Sequence, residues 1–211
     1  MASPLTIFPD STAVAPLAYC GSVDYYARMA AFGRMAIDLS QPFNRHDHTS
    51  RRCEIVGPSG RQRLSVPTRK PSPGSRATIG DLEVDFILDW RRNHWGALFS
   101  AYGRSPFFEY YADRFQDVYE RQFPRLADYC LALDSLLRQI LGIETDVEII
   151  HSRHDLLGHT SMLSTDAVEI ADVEYYQVWA ARHGFQPRLS ALDLVFNMGP
   201  ESPLVLRGML R

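Results

Sequence analysis

Residues 52–66, RCEIVGPSGRQRLSV, read as a β-hairpin, and that reading sets the class of the chain. Cys53 and Ile55 on one arm, and Leu64 and Val66 on the other, alternate with polar neighbours, the period of a half-buried strand. Gly57-Pro58-Ser59-Gly60 between them supplies turn chemistry. Upstream, Pro4 to Pro9 reads as a short extended segment. Gly21-Ser22 opens a helix with Ser22 as N-cap and Gly33 as its stop, and Val23, Tyr26, Met29 and Ala30 share one face. Met35–Leu39 and Leu82–Leu88 read as further strands, with a Pro- and Ser-rich loop from Pro67 to Arg76.

The middle of the chain is helical. Asp89 caps a helix from Trp90 to Tyr102 that stops at Gly103. Ser105-Pro106 offers an N-cap hydroxyl and a first-turn proline for a second helix, reaching Phe123. Pro124 opens a third through to Gly142, with Leu126, Tyr129, Leu133, Leu136, Leu137 and Ile140 along an apolar stripe. Val147–Ile150 reads as a strand, His151–Thr165 as a polar loop, and Val173–His183 as a short amphipathic helix. Ser190 to Asp193 fits a capping box for a last helix ending near Gly199. Strands cluster early and helices late. The expectation is one α+β domain over residues 1–211, with a small, mostly antiparallel N-terminal sheet against a helical C-terminal half.

Composition excludes several classes. Apolar residues make up 45% of 211, enough for a sizeable core and too many for a disordered chain. No run of 18 apolar residues occurs, so no spanning helix is expected. Met1–Phe8 lacks the basic and apolar regions of a signal peptide. Cys20, Cys53 and Cys130 form no CxxC pair and fit reduced thiols, which points to the cytoplasm. The net charge of −3 gives no global attraction to nucleic acid. Locally, however, eight basic residues between Arg45 and Arg76 face only Asp47 and Glu54. Nearly all are arginine, whose planar fork suits carboxylate or phosphate.

Several residues could carry chemistry, each with a plainer alternative. His46 and His48, with Cys53 and a distant third histidine from His94 or the group His151, His154 and His159, are metal-capable types; they equally form a polar loop before a strand. Cys53 beside Arg51 and Arg52 could be a thiolate nucleophile or a small core residue. His94 shares a helical face with Trp90 and adjoins Trp95; it reads as a general base in an aromatic wall or as a buried, hydrogen-bonded histidine. Glu109 and Asp113, four apart after Ser105-Pro-Phe-Phe, could act as paired carboxylates or stand as solvated acids on a core helix. No Walker loop, dinucleotide fingerprint, GxSxG elbow or nucleic-acid motif is present, and no cofactor is indicated.

The strings Arg51-Arg-Cys-Glu-Ile55, Leu64-Ser-Val-Pro67, Ile79-Gly-Asp81 with Asp85, Trp90 with His94-Trp95, Ala101-Tyr102, Ser105-Pro-Phe-Phe-Glu-Tyr-Tyr111 with Asp113, Leu192–Asn197 and Gly199-Pro-Glu-Ser202 come in order across nearly the whole chain, with a looser piece at Tyr19–Tyr26. Together they resemble the WbqC-like protein family, bacterial proteins met in O-antigen gene clusters. Many relatives carry Arg-Asn-Arg-Cys with a Lys-Gln-Thr stretch before it, where this chain has Arg45-His-Asp-His-Thr-Ser-Arg51-Arg-Cys53, so a role needing that asparagine does not carry over. The resemblance implies a step in making surface polysaccharide, with acyl or aminoacyl transfer to an amino-sugar nucleotide as the inference from that setting. On that reading Arg51, Arg52, Arg61 and Arg63 hold phosphates, and Trp90, Trp95, Phe107 and Phe108 line the pocket. His94 is the general base, Glu109 or Asp113 orients it, and Cys53 is the candidate for a covalent acyl intermediate. The alternative is a non-catalytic protein that docks onto a biosynthetic enzyme.

Overall fold

Residues 8–38 form a strand, a helix and a second strand, and a helix between two paired strands forces them parallel. The computed structural model describes residues 6–44, 48–69, 72, 76–152, 154, 162–164 and 168–210. In it β1 (Phe8–Pro16) leads through α1 (Val23–Ala30) to β2 (Phe32–Asp38), with Ala13 opposite Met35 and Ala15 opposite Ile37. Ser22 is the N-cap of α1, as its position predicts, but α1 ends at Ala30, and Gly33 lies inside β2. A Cβ there would collide with the Pro9 carbonyl, so the close approach of β1 and β2 requires glycine.

The hairpin stands as read: β3 (Arg52–Gly57) and β4 (Gly60–Ser65) pair antiparallel, Cys53 opposite Leu64. Pro58 and Ser59 make the turn, and Gly60 closes it at φ +100°. Three longer helices follow: α2 (Trp90–Tyr102), α3 (Phe108–Glu120) and α4 (Leu126–Ile140). Then come β5 (Asp146–Ile150), β6 (Met162–Ser164) and three short helices, α5 (Ala180–His183), α6 (Ala191–Met198) and α7 (Ser202–Met209).

The mixture of helix and sheet is α+β in content, but the arrangement differs from expectation. The main sheet has strand order β5-β2-β1-β6, and each of its pairs is parallel. It draws two strands from the second half of the chain, and the antiparallel hairpin is a separate sheet. β6 lies within the stretch read as a loop. Leu82–Leu88 is no strand: Val84 and Glu83 make single bridges, to Thr68 and Arg125. The Ser105 hydroxyl donates 2.6 Å to the Tyr102 carbonyl at the end of α2, so it caps that helix and α3 starts later, at Phe108.

Residues 173–178 are not helical either. Tyr175 and Gln177 both reach the Asp193 carboxylate, at 2.7 Å each, and side chains two apart meet one point from an extended chain, not from a helix. Asp193 therefore clamps that segment instead of closing a capping box. Ser190 does cap α6, accepting the Leu192 N–H at 3.3 Å, and a further helix, α7, follows Gly199.

The core gathers α2, α3, α4 and α6, with Phe115, Phe196, Tyr102, Leu133 and Leu137 fully buried. Phe196 meets Phe108 at 5.0 Å and Phe115 at 5.3 Å between ring centroids. Replacing Gly33 by Ala should cost more than about 2 kcal/mol in urea unfolding, because backbone must shift. Gly96→Ala, in open space on α2, should instead gain about 0.5–1 kcal/mol.

Candidate functional site

The C-terminal ends of parallel strands are where open sheets bind ligands, because the connecting loops splay there. The loop after β1 carries Cys20 and Gly21, and the loop after β2 carries His48 and Thr49. The Tyr19 amide donates 3.0 Å to the Thr49 carbonyl and joins the two loops. The hairpin lies beside them. From the far end of the chain, the Ser190 hydroxyl donates 2.8 Å to the Cys20 carbonyl, and the Ala191 amide donates 2.8 Å to Gly21. The Ser190 amide donates 2.8 Å to the Glu54 carbonyl of β3.

These four segments line a cavity of about 330 Å³. Arg52 and Arg63 of the hairpin, Arg188, and His48 supply its cationic and basic groups. Cys20, Cys53, Ser22 and Ser190 line the rest, with Glu54 as the one carboxylate among the described residues. Arg63 pairs with Glu54 at 3.1 Å and Arg188 with Asp172 at 3.1 Å, both exposed pairs that contribute little to stability. Among the described residues Arg52 has no ion-pair partner. Among them too, Cys20 (φ +44°) and Arg188 (φ +57°) are the two non-glycine residues with left-handed backbone, and both line this cavity. Such conformations are costly for residues with a Cβ and concentrate at functional sites. Burial pushes the Cys20 thiol well up, so it rests protonated at neutral pH.

The expected site residues divide. Arg52, Arg63 and Cys53 come together in the cavity. Arg61 turns away to Glu54 (3.0 Å), Gln186 (3.0 Å) and the Pro187 carbonyl (2.6 Å), tying the hairpin to the segment before α6. Arg51 lies over the Phe43 ring at 5.5 Å. His46 lies outside the described residues, and among those described no three His, Cys, Asp or Glu are placed to hold a metal. Glu109 and Asp113 stand on the exposed side of α3. Phe107 and Phe108 join the wall of the core; the Phe107 amide donates to Phe196 at 3.0 Å. Trp95 lies with Arg91, Arg92 and Gln116 in a separate groove between α2 and α3.

His94 is buried, 6% exposed, between Trp90 and Tyr119, behind the cavity and not in its lining. Its Nδ1 is 2.7 Å from the Tyr19 hydroxyl, which is 2.8 Å from the Tyr119 hydroxyl. Burial holds the imidazole down to about 4, against a smaller upward pull from the Ser65 backbone. A neutral ring that donates to the Ser65 carbonyl accepts the Tyr19 O–H at Nδ1, and the Tyr19 oxygen then accepts from Tyr119. Residue 19 adjoins Cys20, so the histidine holds the turn whose Cys20, Gly21 and Ser22 line the cavity.

The WbqC-like protein family matches residues 18–165. The chain belongs to this family. Neither a curated protein nor a solved structure matches it. The WbqC-like match takes in the loops after β1 and β2, the hairpin and His94, and stops before the strings at Leu192–Asn197 and Gly199–Ser202. Arg188 and Ser190 therefore complete the cavity from outside the matched region. Arginine at 188 and cysteine at 20 have no sequence signature, since a left-handed non-glycine residue leaves none.

Two buried groups oppose each other in their pH dependence. Neutral His94 contributes stability that is full above the unfolded pKa of about 6.5 and is lost as pH falls towards 4. Asp193 is raised to about 6 by burial, against the pull of its hydrogen-bond donors, so it destabilises as pH rises from about 4 to 6. From pH 7 to 5, His94 should lose about 2 kcal/mol and Asp193 regain about 1 kcal/mol. Urea unfolding at the two pH values should show His94→Asn removing the acid-side loss and Asp193→Asn deepening it.

Proposed function

We propose that this WbqC-like protein is a cytoplasmic enzyme of surface-polysaccharide synthesis that transfers an acyl or aminoacyl group to a nucleotide-linked amino sugar. The family setting supports the pathway, and one observation supports the site. Arginines from the hairpin and from the chain's far end converge with Cys53 and His48 on one cavity at the C-terminal edge of a parallel sheet. Guanidinium forks bind phosphate by paired, charge-assisted hydrogen bonds. Among the lining groups, Cys53 is a thiol able to take an acyl group and His48 an imidazole able to take a proton. In the reaction the donor's acyl carbon passes to Cys53 Sγ and the leaving group departs with the thiol proton. The sugar amine then displaces the sulfur, the amide forms, and the thiol is restored.

On this reading Arg52 is the primary phosphate ligand, and His94 is a positioning residue that acts through Tyr19. Glu109 and Asp113 take no part. The docking alternative rests on a different observation. Ile87 and Leu88 before α2, with Phe99 and Tyr110, expose large apolar surfaces at 63–88%. Its occupant would be a biosynthetic enzyme.

Thermal shift and calorimetry against nucleotide sugars test the first reading. Arg52→Ala should weaken binding by about 10- to 100-fold, the worth of one charge-assisted pair. Glu109→Gln and Asp113→Asn should bind as the wild type does. Wild-type affinity in Arg52→Ala would sink the assignment. Stable co-purification of a biosynthetic enzyme that is lost in Leu88→Ser, with no nucleotide-sugar binding, would favour docking instead.

A further inference from the structure

Residue 188 is an arginine where the backbone calls for glycine. Its φ of +57° is held from both sides. Before it, the Pro187 carbonyl accepts from Arg61 at 2.6 Å, and the Gln186 carbonyl accepts from Gln177 at 2.9 Å. After it, the Leu189 carbonyl accepts the Val23 amide at 2.9 Å, and the Ser190 amide donates to Glu54 at 2.8 Å. The surrounding bonds thus impose a conformation that costs an L-residue energy and costs glycine none. An arginine there is not explained by its exposed pair with Asp172, a class of contact that contributes little.

What the position does achieve is to bring a third guanidinium to a cavity whose other two come from the hairpin. We infer that Arg188 is an anion-binding residue that makes the cavity selective for a diphosphate over a monophosphate, an inference that rests on the reading of the cavity proposed above. Among the described lining residues, Arg52, Arg63 and Arg188 face one carboxylate, Glu54, and a ligand that draws Arg188 from its exposed pair with Asp172 meets a surplus of positive charge suited to a diphosphate diester. Arg52, opposite Ser65, ends the paired register, and Arg63, opposite Glu54, stands two pairs further in, so both lie on one face of the hairpin. Arg188 comes from the C-terminal segment, which the Ser190 amide joins to the Glu54 carbonyl of β3. On this inference a single phosphate is held by the hairpin pair, whereas two linked phosphates also engage Arg188. A nucleoside-diphosphate sugar carries such a pair of phosphates, and Arg188 lies outside the matched family region.

Isothermal calorimetry with inorganic diphosphate and inorganic phosphate tests this on the intact chain, with Arg188→Ala, Arg188→Gly and Arg52→Ala alongside. The wild type should bind diphosphate at least tenfold more tightly than phosphate. Both Arg188 variants should lose that preference, and Arg52→Ala should lose both ligands. Arg188→Gly should unfold no earlier than the wild type on heating, since glycine suits the left-handed backbone, which separates lost binding from lost folding. Wild-type preference for diphosphate in Arg188→Gly, with binding still lost in Arg52→Ala, would overturn the role of Arg188 and leave the cavity reading standing. A wild type that binds neither ion would overturn both.

Discussion

The turn at residues 19–22 is where this fold is tied together. It leaves the central strand of the parallel sheet, enters α1, and takes hydrogen bonds to Thr49, Ser190 and Ala191, while Val23 donates to Leu189. Backbone polar groups in a buried turn need partners, and these come from segments remote in sequence. That requirement draws the C-terminal segment against the hairpin and closes the cavity. Cys20 is left-handed because the turn is over-determined in this way, and Gly21 is glycine because a Cβ would press into the Tyr25 ring at 2.6 Å.

Behind the turn lies a polar chain in an aromatic core. Tyr119, Tyr19 and His94 are each buried, and each satisfies the next. Buried polar groups that are fully bonded specify one arrangement; removing one member strands its neighbour. His94 is thus kept neutral by burial, and its influence on the cavity runs through the position of Tyr19. Asp193 serves the C-terminal segment in the same manner, gathering Tyr175, Gln177 and the Asn197 amide around a carboxylate whose burial makes it reluctant to ionise. One network sets the sheet side of the cavity and the other sets the side that bears Arg188.

Much of the local structure was legible in the sequence. The hairpin, the Asp89 cap and the helices after Trp90 follow from patterns within a few residues. The parallel sheet was not legible, because β1 is short of β-branched residues and bounded by Pro9 and Pro16, and its pairing with β2, and β2's with β5, is a long-range choice. The helix expected over 173–183 failed for a tertiary reason, the two side chains drawn to Asp193. In the candidate cavity, the grouping of Arg52, Arg63 and Cys53 was legible because they crowd one hairpin. Cys20, Ser190 and Arg188 were not, since only the folded chain brings residue 188 beside residue 52. His94 was read two ways from its aromatic neighbours, and the structure buries it.

The central claim is that hairpin and C-terminal segment form one anion site. A crystal soaked in tungstate, a heavy phosphate analogue, tests it most directly through anomalous scattering. The account predicts a tungstate peak in the cavity, within hydrogen-bonding reach of Arg52 and of Arg188. A well-occupied peak at other arginines, such as Arg61 or Arg69, with none in the cavity, would contradict it.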